Sequence, residues 1–388
     1  MIDPADRVTA VDSSGIREFF EIAAERDDVI SLSVGEPDVS LAPAVRTAAI
    51  ESIESDRTNY TANRGMRELR EAIADHVERY DLTVEPEAVL VTAGASEAID
   101  LALRALVDPG DVVAMAEPSY VSYPSGVTFS GGEVLPVETS PDEGFELSVE
   151  RLRAAGAEAA DLLLLNYPNN PTGRTYDRST LAEIAAFARE HDLAVVADEI
   201  YAPFTYDREH VSIASLPGMA ERTVVINGFS KAYAMTGFRL GYAIGPTRVV
   251  DAMNRIHQYT MLSAPTTAQH AALAALESGD DAVAETVATY DDRRRVVTDR
   301  LAELGFDCAD PNGAFYAFPR IPGGGDDTAF ARDLLEDAGV AVVPGSAFGT
   351  AGEGHVRLSY AASRSQLAAA FERIETFLRD RPTVAARE

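Results

Sequence analysis

Uninterrupted apolar runs recur along the first two-thirds of the chain, and Gly, Pro, Asn or Asp residues bound most of them. Five such runs lie at Ala88–Thr92, Val112–Ala116, Leu162–Asn166, Leu193–Asp198 and Thr223–Asn227. Runs of this kind are typical of strands buried on both faces of a parallel sheet. Segments with helical spacing of apolar residues alternate with them, including Glu97–Val107 and Arg178–His191. The alternation predicts a largely parallel sheet with helices on both faces.

The pattern changes in the C-terminal third. A long helical region is predicted from Met253 to Ser278, continuing past a weak break at Gly279 through Ala282–Leu304. Short predicted strands and helices then mix, at Ala314–Phe318, Ala341–Val343, His355–Ser359, Thr328–Ala338 and Arg364–Arg379. This mixture indicates a second, smaller α+β domain.

Acidic residues dominate the charge, which is −30 with a pI of about 4.5. Such a charge repels nucleic acids and anionic membranes, so neither is an expected partner. The acidic residues are dispersed, and lysine is almost absent. This composition favours a surface adapted to high salt, with an ordinary acidic soluble protein as the alternative.

Cysteine usage and the N-terminal residues bear on location. Cys308 is the single cysteine, so an intrachain disulfide is impossible, which fits a reducing cytoplasm. The start Met1–Asp6 has neither the basic nor the apolar region of a signal peptide. Apolar runs are far shorter than a membrane span requires. We therefore expect a cytoplasmic protein.

Lys231 is the only lysine among the 33 basic residues. Arginine serves equally well as a surface cation or an anion clamp, but it keeps its proton at workable pH. An unprotonated lysine amine attacks carbonyl carbons and forms Schiff bases. We therefore predict that Lys231 is a covalent catalytic residue, against the alternative that it is a remnant of compositional drift.

The turn Thr92–Ser96 follows one predicted strand and opens a helix. Its small residues let backbone amides approach an anion, and a helix N-terminus favours negative charge. We interpret it as a phosphate cradle formed by the amides of Ala95 and Ser96 and the Ser96 hydroxyl. Most glycine-containing turns of this kind bind nothing, so this signal is weak by itself.

Other polar residues follow the remaining predicted strands, where ligands gather in α/β sheets. Asp198 ends a strand, and its alternative role is a helix cap or an ion pair; Tyr201 comes three residues later. Asn170 lies in a proline-bracketed turn and has turn chemistry as its alternative. Ser230 precedes Lys231, and Arg239 is suited to a bidentate phosphate contact.

These residues together meet the requirements of pyridoxal phosphate. The cofactor aldehyde takes the lysine amine, and its ring nitrogen needs an acidic partner to stay protonated. Its ring oxygen needs donors such as Tyr201 and Asn170. Its phosphate needs a helix N-terminus, a hydroxyl and an arginine.

The chain resembles the class I/II aminotransferases of fold type I, in particular archaeal and thermophilic aspartate and aromatic aminotransferases. The similarity extends almost end to end. The motifs that carry it are Gly35–Asp38, Asn59–Tyr60, Gly65, Glu68–Arg70, Thr92–Glu97, Asn169–Gly173, Asp198–Tyr201, Asn227–Lys231, Met235–Arg239, Pro344–Gly349 and Val356–Tyr360. The ordered series is specific, although no single motif is.

The resemblance implies an α/β fold with a mostly parallel seven-stranded sheet between helices in a large domain, 45–280. A small α+β domain comprises 281–388, and residues 1–44 form an N-terminal arm that contributes to it. The resemblance also implies a homodimer with shared active sites, in which Tyr60 reaches the cofactor phosphate of the partner subunit.

Specific roles follow from the same resemblance. Lys231 bonds the cofactor aldehyde, and Asp198 pairs with the ring nitrogen. The remaining cofactor contacts come from Ala95, Ser96, Ser230 and Arg239 on the phosphate, Tyr201 and Asn170 on the ring oxygen, and Tyr120 on the ring face, where many relatives carry Trp or Phe. Arg357, Asn170 and the Gly35 backbone take the substrate α-carboxylate.

The implied reaction is a ping-pong exchange between amino acids and 2-oxo acids. Glutamate and 2-oxoglutarate are the expected pair, with aspartate or aromatic amino acids as partners. In some bacterial relatives a lysine binds the distal carboxylate of aspartate, but Ser96 occupies that position here. Arg17, Arg64 and Arg255 are possible substitutes, with surface charge as their alternative. Ser14–Arg17 and Gly313–Tyr316 look closer to archaeal aromatic-type enzymes.

Two other functions share these motifs. A pyridoxal-phosphate C–S β-lyase on the same fold uses the same lysine, aspartate, tyrosine and arginines. A non-catalytic regulator of this fold normally carries a basic DNA-binding domain, which the charge of −30 disfavours. The six histidines are scattered without zinc-site spacing, so no metal is expected.

Overall fold

The computed structural model describes residues 2–11, 26 and 28–380. Its strands are β1 (Ile30–Ser31), β2 (Val89–Thr92), β3 (Val112–Glu117), β4 (Glu133–Glu138), β5 (Leu162–Asn166), β6 (Ala194–Asp198), β7 (Thr223–Gly228), β8 (Gly241–Ile244), β9 (Tyr316–Ala317), β10 (Val340–Ala341), β11 (Val343–Pro344) and β12 (Val356–Ser359).

The α-helices of the described residues connect these strands. They are α1 (Asp6–Thr9), α2 (Pro43–Glu54), α3 (Arg67–Val77), α4 (Ala95–Leu106), α5 (Ser122–Ser130), α6 (Val149–Ala154), α7 (Arg178–Glu190), α8 (Thr247–Thr260), α9 (Thr266–Ser278), α10 (Asp280–Glu303), α11 (Asp327–Ala338) and α12 (Arg364–Asp380).

Seven strands form the large sheet in the order β2-β8-β7-β6-β5-β3-β4. The pairs from β7 to β4 are all parallel, whereas β8 runs antiparallel to both of its neighbours. The predicted mostly parallel, seven-stranded sheet is therefore confirmed. Parallel strands require crossover connections, so the carboxyl ends of β5, β6 and β7 meet at one edge.

Apart from the edge strand β4, the strands of this sheet are largely buried on both faces. Leu162 and Leu164 pack with α4, α5 and α8, whereas Leu163 and Leu165 pack with α6 and α7 on the opposite face. This alternation follows from the twofold side-chain period of a strand. It explains why the strand is apolar throughout instead of alternating with polar residues.

The C-terminal elements form a separate apolar cluster. Strands β9, β11 and β12 make a three-stranded antiparallel sheet, and α10, α11 and α12 pack around it. Leu32 joins this cluster, and β1 pairs with β10. The domain boundaries at 44 and 280 stay predictions, although these contacts connect the N-terminal segment to the C-terminal elements.

The prediction of one helical region from Met253 to Ser278 is wrong. Helix α8 starts earlier, at Thr247, and ends at Thr260. Leu262 then adopts a left-handed conformation with φ of 68°, and Pro265 precedes the first residue of α9. A β-carbon disfavours left-handed φ, and proline starts helices better than it continues them, so the region divides. The predicted strand Ala341–Val343 is also wrong, because β10 and β11 pair with different sheets.

Candidate active site

A cavity of about 710 Å³ opens at the carboxyl edge of the parallel strands. Eleven of the twelve predicted site residues line it, namely Gly35, Ala95, Ser96, Tyr120, Asn170, Asp198, Tyr201, Ser230, Lys231, Arg239 and Arg357. The twelfth, Tyr60, is 81 % exposed and lies outside this cavity. The chain thus brings together residues that are as far apart in sequence as 35 and 357.

Lys231 follows β7 and extends its amine into the cavity. Its Nζ donates a hydrogen bond to the backbone oxygen of Gly35 at 2.6 Å. Burial lowers the pKa of Lys231 to about 8, and the guanidinium groups of Arg357 and Arg239 act in the same direction, while Glu36 opposes them. At pH 7 about a tenth of this amine is therefore unprotonated and able to attack a carbonyl carbon.

Asp198 ends β6 with its carboxyl group buried at the cavity floor. Tyr123 Oη donates to its Oδ2 at 2.7 Å, and the Ile200 backbone N–H donates to its Oδ1 at 3.1 Å. Burial raises the pKa of Asp198 to about 6 in spite of both hydrogen bonds. A cation bound in the cavity would favour the ionised form of this group.

Arg357 presents a flat guanidinium group between two aromatic rings. Its carbon lies 4.6 Å from the ring centroid of Tyr316 and 5.1 Å from that of Phe348. Nη1 donates to Oδ1 of Asn170 at 2.8 Å, and Nη2 donates to the backbone oxygen of Ser33 at 2.6 Å. These contacts fix the fork in a geometry suited to two parallel hydrogen bonds with a carboxylate.

Two glycines bring Arg239 close to the N-terminus of α4. A β-carbon on Gly94 would lie 2.7 Å from Arg239 Nη2, and one on Gly241 would lie 2.5 Å from the Ala95 nitrogen. Gly94 also has a φ of 88°, which other residues rarely adopt. The guanidinium group and the first amides of α4 therefore converge on one small space, as an anion requires.

Sequence reasoning missed two tyrosines of this site. Tyr123 is the donor to Asp198, and the Tyr316 hydroxyl lies 2.9 Å from the Tyr201 hydroxyl. Both line the cavity and are almost completely buried. Buried tyrosines are ordinarily core residues, so composition gave no signal. The one local hint was the hydroxyl group, which needs a partner wherever it is buried.

Arg64 and Arg255, two of the arginines considered as contacts for a distal substrate group, do not line this cavity. Arg64 is engaged by the Glu87 backbone oxygen and the Asp251 carboxylate. Arg255 lies on the exposed side of α8. Arg17 and the segment Ser14–Arg17 lie outside the described residues. The cations lining the cavity in the described chain are therefore Lys231, Arg239 and Arg357.

Residues 2–11, 26 and 28–380 contain neither a metal-binding cluster nor a membrane-spanning helix. In that part of the chain, no group of three or more His, Cys, Asp or Glu side chains could hold a metal ion. None of the helices there is both long enough and apolar enough to cross a bilayer.

A lysine, an aspartate and two arginines at the carboxyl ends of parallel strands are suited to a cofactor that carries an aldehyde and a phosphate. Residues 27–374 match the family of class I and II aminotransferases, and the chain belongs to this family. Members of this family use pyridoxal phosphate to move amino groups between amino acids and 2-oxo acids.

Aspartate and aromatic aminotransferases are among the proteins most similar to this chain. The chain is 42 % identical to the aspartate aminotransferase of Pyrococcus abyssi, over 97 % of this chain and 98 % of that protein. It is 40 % identical to aromatic-amino-acid aminotransferase 2 of Thermococcus litoralis, over 98 % of this chain and 99 % of that protein. The solved structure of Thermus thermophilus aspartate aminotransferase with maleate superposes on this chain with a TM-score of 0.93. The two sequences are 40 % identical, and the superposition covers 97 % of this chain and 100 % of that one.

The residues of the cavity fit pyridoxal phosphate. The space bounded by Gly94 and Gly241 is one that added β-carbons would fill, and it joins amide donors to an arginine, as a phosphate needs. The buried carboxyl group of Asp198 suits a protonated ring nitrogen. The amine of Lys231 lies in the same cavity, where it suits an aldehyde.

Proposed function

We propose that this aminotransferase exchanges amino groups between glutamate and 2-oxoglutarate on one side and aspartate or aromatic amino acids on the other. The observation that carries the proposal is the buried amine of Lys231, with a pKa of about 8, in one cavity with Asp198 and two arginines. The names of the relatives support both classes of partner. The apolar side chain of Ile99 on the cavity wall suits an aromatic substrate.

The cofactor contacts are proposed residue by residue. Ala95 and Ser96 amides, the Ser96 and Ser230 hydroxyls and Arg239 hold the phosphate. Tyr201 and Asn170 donate to the ring oxygen, and Tyr120 covers one ring face. Asp198 holds the proton of the ring nitrogen. When bound, pyridoxal phosphate supplies an aldehyde for amines and a ring that withdraws electrons from the substrate Cα.

Substrate handling is assigned to the remaining residues. The fork of Arg357 receives the α-carboxylate in two parallel hydrogen bonds, with Asn170 and the Gly35 backbone beside it. This contact orients the substrate Cα–H bond toward Lys231. Nζ of Lys231 would then remove the Cα proton as a general base. Its lowered pKa supports this role, because a protonated amine cannot accept a proton.

A homodimer with shared sites is the proposed assembly. Tyr60, Tyr259, Met261 and Leu262 are 81, 85, 46 and 41 % exposed, which is unusual for large apolar side chains. Asn63 donates to the Leu262 backbone oxygen at 2.6 Å, so the two segments lie side by side. Exposed apolar side chains on two neighbouring segments support burial against a second copy, from which Tyr60 would reach the partner's phosphate.

Salt adaptation and a cytoplasmic location complete the proposal. Asp and Glu outnumber Lys and Arg by 63 to 33, and their mutual repulsion weakens as salt shortens the screening length. We expect the melting temperature to rise by several degrees between 0.1 and 2 M KCl; a flat or falling curve would refute the adaptation. The single cysteine supports the location, which cell fractionation would test.

The amino donor is tested by a transamination screen. Purified protein with pyridoxal phosphate is offered each common amino acid with 2-oxoglutarate, and glutamate formation is measured. Turnover with aspartate or aromatic amino acids is expected, and Lys231→Arg should abolish it. Release of pyruvate and ammonia from S-substituted cysteines without glutamate formation would instead identify a β-lyase.

A further inference from the structure

The turn between β2 and α4 is closed by side chains that do not line the cavity. Gly94 is the N-cap of α4 and offers no side-chain oxygen to the first turn of the helix. In an ordinary capping box, a Ser or Thr at this position accepts the N–H three residues later. A glycine here leaves the first amides of α4 free for an external anion.

Glu97 holds this turn in shape. Its Oε2 accepts the backbone N–H of Ala93 at 2.5 Å, just before Gly94. On the other side of the turn, the Thr92 hydroxyl donates to the Gly94 backbone oxygen at 3.0 Å. The Glu97 side chain therefore ties the residue before the N-cap to the first turn of α4, without occupying the amides of Ala95 and Ser96.

His257 of α8 holds Glu97 in turn. Its Nδ1 lies 2.7 Å from Glu97 Oε1, and the imidazole is completely buried. A carboxylate only accepts hydrogen bonds, so Nδ1 carries a proton. The other ring nitrogen, Nε2, is buried and has no partner within the described residues.

The burial of His257 is hard to explain by stability alone. An unpaired buried nitrogen costs free energy, and an apolar residue in its place would avoid that cost. What the imidazole contributes is orientation, because it keeps the Glu97 carboxylate directed away from the cavity. A carboxylate free to turn toward Ser96 would repel a phosphate dianion.

We propose that the Glu97–His257 pair positions the phosphate cradle and thereby sets the affinity for the cofactor phosphate. The inference rests on the proposed cofactor site and adds two residues that do not touch the cofactor. They are positioning residues: the amides of Ala95 and Ser96 bind the phosphate, and the pair fixes where those amides point.

The test compares two ligands that differ only in the phosphate. Dissociation constants of the apo-protein are measured for pyridoxal phosphate and for pyridoxal. Glu97→Ala should weaken pyridoxal phosphate binding by at least about tenfold, because it removes two hydrogen bonds of a charged group. Pyridoxal binding should stay within about twofold, because pyridoxal does not use the cradle.

Conservative and matched variants sharpen the result. Glu97→Gln keeps an acceptor for Ala93, and its amide N–H can donate to His257 in the other tautomer, so wild-type affinity is expected. His257→Leu frees Glu97 and should weaken pyridoxal phosphate binding selectively. Asp100 lies on the next turn of α4 and forms an ion pair with the exposed Arg104, so Asp100→Ala should change neither constant.

Three results would overturn the inference. Equal losses for both ligands in Glu97→Ala and His257→Leu would mean a general disturbance of the site. A lower melting temperature with unchanged affinity for pyridoxal phosphate would mean a purely structural cap. Wild-type protein that binds neither ligand would refute the proposed function and this inference with it, whereas a wild type that binds both tests the pair alone.

Discussion

Lys231 illustrates how far a single residue can be interpreted from sequence. The composition identified it as the only lysine, and the motif around it connected it to a cofactor aldehyde. The structure adds a physical reason to expect reactivity, because burial, with Arg357 and Arg239 nearby, lowers the pKa of its amine to about 8. Its role as a covalent catalytic residue stays a prediction.

The pH dependence of cofactor capture follows from this pKa. The unprotonated amine is the nucleophile, so the rate at which apo-protein bonds pyridoxal phosphate should rise about tenfold per pH unit below 8 and level off above it. Stopped-flow absorbance measures the rate. A midpoint near 10.5, the ordinary value for lysine, would contradict the described environment.

Residues whose place in the site depends on tertiary contacts could not be predicted from the sequence. Tyr123 meets Asp198 across the cavity floor, and Tyr316 joins Tyr201 to the Arg357 clamp. Neither tyrosine belongs to a motif for cofactor binding. Their contacts depend on how β6, α5 and the C-terminal sheet meet, which a one-dimensional pattern does not contain.

At the scale of elements, apolar runs predicted five of the seven strands of the large sheet, namely β2, β3, β5, β6 and β7. They did not predict β4 or β8. β4 is an edge strand whose exposed Glu133, Pro136 and Glu138 break the apolar run. β8 begins at Gly241 and is followed by Gly245 and Pro246, so only three consecutive apolar residues mark it in the sequence. The central strands could be predicted because burial of both faces makes their sequences continuously apolar.

Helix ends were predicted less well than helix existence. Helix α4 starts at Ala95, two residues before its predicted start at Glu97. That difference matters chemically, because it makes Gly94 the N-cap and Ala95 and Ser96 the first helical amides. The division of α8 from α9 likewise creates the segment of Met261 and Leu262, which belongs to the exposed apolar surface.

At the scale of the whole molecule, the proposed shared site makes the dimer testable without a structure. Subunits with Lys231→Ala and subunits with Tyr60→Phe are each expected to be impaired at limiting cofactor. In a hybrid dimer, one site combines both changes, and the other has Lys231 from one chain and Tyr60 from its partner.

Mixing should therefore restore activity. After unfolding and refolding together, half of the dimers are hybrids with one intact site, which gives about a quarter of wild-type activity. The separately refolded variants are the control. An absence of any gain over that control would mean that Tyr60 does not act across the interface.

The most direct test of the account is to locate the cofactor bond. Protein loaded with pyridoxal phosphate is reduced with sodium borohydride, digested, and analysed by mass spectrometry. The account predicts a yellow protein before reduction and a single pyridoxyl adduct on the Lys231 side chain, absent in Lys231→Arg. A colourless protein, or an unmodified Lys231 peptide after reduction, would contradict it.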